Sequence, residues 1–217
     1  MSNFSTDSDL LKWEPTLFRD LAVPGQRLAS GTDGETAGLA FSSDSADFVA
    51  AGVAPGHVVR LIDDDGQAAG CWQVLSVESP TLLLATQVGR LAGDSVNLPT
   101  GSHWAWTIDT FDPQAEEARF ELLARLGLAV DEDGADLANL VLQPRSLRRA
   151  SVFATLTMIF EGASGAAQEG RNLAAKAALY RRLYDKELTQ LRVRLDRDGD
   201  GLADDACSPG TIRLERA

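Results

Sequence analysis

The sequence predicts an α+β protein, with a small β-barrel or sandwich-like domain followed by an α-helical bundle that has a long C-terminal helix and an extended tail. Glycine and proline punctuate residues 21–110 at short intervals, and the composition changes to helix-forming residues after this stretch. One apolar seam with helical spacing follows near the C-terminal end. These observations predict an N-terminal arm (1–20), a β-domain (21–110), a helical domain (111–195), and an acidic loop with a C-terminal tail (196–217).

The N-terminal residues 1–20 carry apolar side chains that need a surface to pack on, which predicts an arm or first strand docked on the β-domain. Within that domain, strand-like runs occupy residues 57–62, 71–77, 81–86 and 104–108. Trp72 and Val74 share one face of their run, and Trp104, Trp106 and Ile108 share one face of theirs. Strands that recur about every ten residues predict a small barrel or sandwich rather than βαβ units.

The helical domain begins at Asp112-Pro113, because aspartate can cap a helix and proline is tolerated in its first turn. Phe120, Leu123 and Leu126 have near-helical spacing, and Gly127 ends this helix. After Pro144 we expect a second helix of about 16 residues, ended by residues 162–165. The last helix is predicted from 168 to 195, roughly 40 Å long. Its apolar seam is predicted to form the helical core or a contact between copies, and consists of Leu173, Ala177, Tyr180, Tyr184, Leu188, Leu191 and Leu195.

An aspartate-rich loop follows this helix and fits the first half of an EF-hand calcium loop. Its candidate ligands alternate along the chain and are Asp196, Asp198, Asp200, the carbonyl oxygen of Leu202, and Asp204. Cys207 stands at the twelfth position, where an EF-hand has a bidentate glutamate. Two interpretations stay open: the loop binds Ca²⁺ or another hard cation, or it is a bare turn in which aspartates bond their own backbone.

The C-terminal tail alternates apolar and charged residues over Thr211, Ile212, Arg213 and Leu214, which predicts a short strand. Such a strand can join the sheet edge of another chain. It can equally pair with its own β-domain or stay disordered.

The overall charge argues against nucleic-acid binding through the whole surface. The chain of 217 residues has 20 Lys plus Arg against 32 Asp plus Glu, a net charge of −12, whereas phosphate contacts need clustered basic side chains. The charge is uneven, because residues 1–143 have a net charge of −15 and residues 144–217 a net charge of +3. We expect no membrane partner, since no apolar run approaches the roughly 20 residues that span a bilayer. We expect no signal peptide, since the first residues have no basic region and no apolar stretch behind it.

No pattern in the sequence predicts catalysis. The two cysteines, Cys71 and Cys207, and the two histidines, His57 and His103, are isolated from one another, which excludes a disulfide framework and a zinc site of Cys/His type. We therefore expect free thiols in a reducing cytoplasm. Neither a G-x-S-x-G motif nor a complete phosphate-binding loop is present, so we expect no catalytic residue and no enzyme activity.

Four features together resemble the head–tail adaptor proteins (also called head completion or connector proteins) of tailed bacteriophages. They are the helix over 147–160, the long helix over 174–188, the Asp-Arg-Asp-Gly-Asp-Gly loop directly after it, and the opening Glu14-Pro15-Thr16-Leu17-Phe18-Arg19-Asp20 before a glycine-rich β-segment. The inserted β-domain departs from the minimal all-helical adaptor.

The resemblance implies a structural virion protein of the phage neck that is assembled in the bacterial cytoplasm. Such adaptors form a ring, usually a dodecamer, beneath the portal protein. The ring extends the DNA channel and docks the stopper or tail protein, and genomic DNA passes through without specific binding. Carried onto this sequence, the tail that contacts the portal would be Thr211 to Leu214.

Three other functions stay open. The chain could be a different neck or tail component, namely a stopper or a tail terminator. It could be a calcium-dependent binding module with an attached β-barrel. It could also be a hydrolase with an active site that no motif reveals.

Overall fold

The structure is a computed structural model that describes residues 3–21, 23–63, 66, 68–90, 92–128, 137–165 and 170–209. The chain divides into two compact units. The barrel unit is Thr6–Phe111, and the helical unit comprises the residues before Thr6 and after Phe111. The predicted mixture of a β-domain and helices is confirmed at this level.

The barrel unit contains a closed antiparallel barrel of six strands, arranged in the order β1-β2-β5-β4-β3-β6 with β6 pairing back to β1. The predicted strand runs coincide with β3 to β6, and of the two architectures left open it is the barrel that forms. Closure leaves no free edge strand in the barrel. The strands are β1 (Arg27–Ala37), β2 (Ala40–Ser42), β3 (Val58–Ile62), β4 (Ala68–Ser79), β5 (Leu82–Gln87) and β6 (Gly101–Asp109).

Trp106 fills the barrel interior. It is 1% exposed, and its ring centroid lies 5.4 Å from that of Phe41 and 5.6 Å from that of Phe48. Gly34 makes room for this cluster, because a Cβ atom there would lie 2.9 Å from both Phe41 and Trp106. Ile108 is buried on the same face of β6, as the alternation of the sequence predicts.

The sequence predicts an arm or first strand over residues 1–20. The structure has two short helices there, α1 (Asp7–Leu11) and α2 (Leu17–Asp20). A capping box explains the first helix, since Thr6 and Asp9 bond each other's backbone and side chain across its first turn. The apolar residues Leu10, Leu11, Leu17 and Phe18 are buried, whereas Trp13 is exposed. The Phe18 ring packs 5.1 Å from that of Phe111 within the same unit. Residues from Thr6 onward therefore belong to the barrel unit.

Among its described residues, the helical unit contains three α-helices, namely α3 (Asp112–Arg125), α4 (Arg148–Ser164) and α5 (Gly170–Gln190). The central helix α4 is buried on nearly every side between Ala150 and Phe160. Its buried threonines are satisfied locally, because the Thr155 and Thr157 hydroxyls each donate to a backbone carbonyl one turn earlier at 2.8 Å. The predicted break at 162–165 is displaced, since α4 continues to Ser164.

Helix α3 ends at a Schellman motif. The N–H of Gly127 donates to the carbonyl of Ala124, and the N–H of Leu128 donates to that of Leu123. Gly127 has φ +71°, which explains why glycine occupies this position. The predicted stripe is partly wrong: Leu123 and Leu126 are buried, but Phe120 is only half-buried. Besides Leu123, the buried face of α3 contains Ala115, Ala118, Arg119 and Leu122.

Helix α5 is shorter than the sequence predicts. Its 21 residues span about 31 Å, and Leu195 lies on strand β7 (Val193–Leu195) rather than on the helix. Strand β7 pairs with β8 (Asp205–Cys207). Leu195 on β7 also forms an isolated β-bridge with Val141. These sheet hydrogen bonds replace helical ones after Leu191. None of the described helices is both long and apolar enough to cross a bilayer.

Candidate functional site

The predicted seam lies on the inner face of α5 and packs within its own chain. Tyr180 stacks on Phe160 with ring centroids 5.8 Å apart and an interplanar angle of 10°, and its ring lies 6.1 Å from Phe153. Leu173 is half-buried, and the other seam residues on or next to α5 are buried: Ala177, Tyr180, Tyr184, Leu188 and Leu191. Their side chains therefore form the core of the helical unit.

Ion pairs flank this seam on both sides. Arg149 on α4 lies 3.2 Å from the Glu187 carboxylate on α5, and Arg181 on α5 lies 3.2 Å from the Glu161 carboxylate on α4. Both arginines are substantially exposed, so each pair contributes at most about 1 kcal/mol. Burial raises the pKa of the Tyr184 phenol, which keeps this seam residue neutral.

The aspartate loop is the candidate functional site, and it connects β7 to β8. Asp196 begins the loop, and its carboxylate accepts the N–H groups of Gly199 at 2.7 Å and Gly201 at 2.8 Å. These donors hold the pKa of the Asp196 carboxyl below its ordinary value. Both glycines have positive φ, 79° and 84°, a conformation that other residues rarely adopt.

Three of the predicted carboxylates converge. Asp196, Asp198 and Asp204 each offer a carboxylate oxygen, and these oxygens all lie within 4.8 Å of one another. Oxygen ligands about 2.4 Å from one calcium ion can be this far apart. The arrangement therefore has the size of a hard-cation site with three protein carboxylates.

The carboxylate of Asp200 is not one of the three that converge. Asp200 is exposed, and its carboxylate accepts the Leu202 N–H at 2.7 Å. The predicted role of the Leu202 carbonyl oxygen as a ligand stays a prediction. Strands rather than two helices flank the loop, and Cys207 lies on β8 as a free thiol. The loop thus departs from an EF-hand in its surroundings as well as at its twelfth position.

The predicted tail residues Thr211, Ile212, Arg213 and Leu214 lie outside the described residues, so the strand there stays a prediction. Cys71, the other cysteine, is also a free thiol on β4. Burial raises the pKa of the Cys71 thiol, which makes it a poor nucleophile at neutral pH.

The structure contains two exposed charged surfaces that the sequence did not predict as surfaces, although the spacing along α5 places Arg182 and Lys186 off the apolar seam. One is the outer face of α5, where Arg171, Arg182 and Lys186 lie opposite the apolar seam. The other is an acidic end of the barrel that includes Glu35 and Glu78. The spacing along α5 could have revealed the first from sequence, but the second depends on strand pairing. Comparison of the chain with protein-family models, with curated proteins and with solved structures found no match.

Proposed function

We propose that this protein is a head–tail adaptor of a tailed bacteriophage, a non-enzymatic virion protein that forms a ring beneath the portal protein. In this role the ring extends the DNA channel and docks the stopper or tail protein. Assembly takes place in the cytoplasm of the bacterial host. The net charge of −12 suits a channel wall that DNA passes without sticking.

The observation that carries the proposal is the order of elements in the helical unit. Helix α4 packs along α5, and the aspartate loop with its β7–β8 hairpin comes directly after them. This is the order of features on which the resemblance to adaptors depends. The C-terminal tail follows the hairpin in sequence, where an adaptor carries its portal-binding segment.

The closed barrel adds a second argument about the tail. A strand-forming segment needs an unpaired sheet edge, and the six-stranded barrel offers none. Pairing of Thr211 to Leu214 with the barrel of its own chain is therefore disfavoured. The two-stranded sheet of β7 and β8 has edges, as do sheets of other chains, and among these partners we propose a sheet edge on the portal protein.

Binding to purified portal rings tests this function. We expect the full chain to bind the portal protein encoded by the same phage genome, and deletion of residues 208–217 to abolish binding without changing the thermal midpoint. Replacing Ile212 and Leu214 together by serine should act like the deletion, whereas replacing Arg213 alone by glutamine should weaken binding much less. Failure of the full chain to bind any portal ring would contradict the proposal.

A second candidate function is calcium-dependent binding through the aspartate loop. The convergence of Asp196, Asp198 and Asp204 within 4.8 Å favours it. Calcium would stabilise the β7–β8 hairpin by drawing the loop carboxylates together. A calcium-dependent rise in the thermal midpoint tests this candidate independently of the portal assay.

A further inference from the structure

The outer face of α5 is exposed and strongly basic. Arg171, Ala175, Ala178, Arg182 and Lys186 recur at intervals of four, three, four and four residues, which places them on one side of the helix. From Arg171 to Lys186 this face extends about 22 Å. Among the described residues, none of its three cations forms an ion pair. The face is therefore available for negative charge from another molecule.

Apolar surface accompanies this charge. Leu179 lies at the border of the face and is 43% exposed, although it is a large aliphatic residue on a regular helix. Ala175 and Ala178 lie between the cations, and such small side chains let another backbone come close. We call this surface the α5 outer face and define it as Arg171, Ala175, Ala178, Leu179, Arg182 and Lys186.

The barrel carries a surface of the opposite sign. Glu35 on β1 pairs with Ser42 on β2, which pairs with Leu82 on β5, which in turn pairs with Ser79 on β4. Glu78, next to Ser79, is thus about three strand spacings, or roughly 14 Å, from Glu35 around the barrel.

The loop after β2 brings further carboxylates to the same end. Ser43 N–H donates to the carbonyl of Thr81, and Phe48 N–H donates to that of Pro80. Asp44, Asp47 and the 61% exposed Val49 lie on this loop. We call this surface the acidic barrel end and define it as Glu35, Asp44, Asp47, Val49 and Glu78. No ion pair involves its four carboxylates in the part of the chain that the structure describes.

We propose that the α5 outer face of one copy binds the acidic barrel end of a second copy of this chain. Each surface combines unpaired charge with one exposed aliphatic side chain, Leu179 on one and Val49 on the other. The whole barrel unit contains 5 basic and 14 acidic residues, so its field attracts the α5 outer face before contact. Because two different surfaces meet, the contact is heterologous and repeats from copy to copy, either into a closed ring or into a filament.

Nucleic acid is the less favoured occupant of the α5 outer face. Three cations spread over about 22 Å neutralise few phosphates. Asp185 flanks the face, and the chain as a whole is acidic. The exposed Leu179 side chain would contact nothing apolar on a phosphate backbone, whereas the acidic barrel end offers it the exposed aliphatic side chain of Val49. This contact between copies would build the ring of the proposed function. Only the expectation that the ring closes rests on that proposed function.

Charge reversal in the full chain tests the contact. Association is measured by sedimentation velocity at low and at high salt for three variants: Arg182→Glu with Lys186→Glu, Glu35→Lys with Glu78→Lys, and all four changes together. We expect each pair of reversals to weaken association at least about tenfold and the four together to restore it, because opposite charges face each other again. High salt should weaken association of the wild type.

A matched control is Arg145→Glu with Arg192→Glu, which changes the net charge equally at exposed positions outside the α5 outer face. We expect this control to associate like the wild type. The contact is refuted if the wild type stays monomeric at millimolar concentration and low salt, or if the four changes together fail to restore association. It is also refuted if duplex DNA binds the α5 outer face and the two reversals on α5 abolish only that binding. If the chain is present in virions and the charge reversals do not change its association, the contact is refuted and the proposed function is not.

Discussion

Two leucines on α5 provide a matched test of which face of the helix is core. Leu188 is 7% exposed on the inner face, whereas Leu179 is 43% exposed at the border of the outer face. Leucine-to-alanine substitution removes three carbons at either position and changes helix propensity equally. Only the surroundings of the two side chains differ.

The expected costs follow from this difference in burial. Three buried carbons are worth about 2.4 kcal/mol in transfer free energy, and the cavity left behind raises the cost of Leu188→Ala to about 3 kcal/mol. Leu179→Ala leaves no enclosed cavity and should cost about 0.5 kcal/mol. In a unit of this size, Leu188→Ala should lower the thermal midpoint by roughly 10–15 °C.

Urea titration with two optical probes measures the costs. Far-UV circular dichroism follows the helical unit, which contains the three long helices. Fluorescence follows the barrel unit, which contains all four tryptophans: Trp13, Trp72, Trp104 and Trp106. Equal costs for the two leucines would refute the assignment of the seam to the core. So would a destabilisation by Leu188→Ala that disappears at higher chain concentration, because the side chain would then be buried between copies.

Three further predictions concern a helix end, an acid-sensitive carboxylate and the aspartate loop. Gly127→Ala should destabilise the helical unit by about 1 kcal/mol because of its positive φ, whereas Gly162→Ala within α4, where a Cβ atom meets nothing within 4 Å, should stabilise it by about 0.5–1 kcal/mol; urea titration decides both signs. The Ser43 hydroxyl and the Ser45 N–H donate to the Asp33 carboxylate and hold the pKa of this carboxyl below its ordinary value. The ionised Asp33 therefore contributes its full stabilisation of the folded state above about pH 5, and this contribution is lost as the pH falls below about 4. The unfolding free energy of Asp33→Asn should therefore fall less steeply than that of the wild type in this acid range, and parallel curves would contradict the assignment. Millimolar CaCl₂ should raise the thermal midpoint, the rise should vanish in Asp198→Ala and in part survive in Asp200→Ala, and an unchanged wild-type midpoint would identify the loop as a bare turn.

Local signals in the sequence were sufficient for most individual elements. The glycine and proline punctuation located β3 to β6, and the four-three spacing located the inner face of α5 from Ala177 to Leu188. Both signals depend on near neighbours in the chain. The capping box at Thr6 was an equally local signal for α1, but the apolar run after it favoured the interpretation as an arm or strand.

Features that depend on distant pairing could not be predicted. Leu195 continues the helical spacing of the seam but lies on β7, because β8 and Val141 supply backbone partners that no local pattern reveals. The acidic barrel end has the same origin, since Glu35 and Glu78 are 43 residues apart in the sequence and only the barrel register brings them to the same end of the barrel. The aspartate loop was located by its spacing, but the turn of the chain decides that Asp204 joins Asp196 and Asp198 while Asp200 stays outside.

The protein composition of purified virions tests the central proposal most directly. Quantitative mass spectrometry of particles from the phage that encodes this chain would use the portal protein of the same particles as an internal standard. An adaptor ring predicts that the chain is present at the copy number of the portal protein or at a small whole-number multiple of it. Particles that contain the portal protein but not this chain would contradict the proposal that it is a head–tail adaptor.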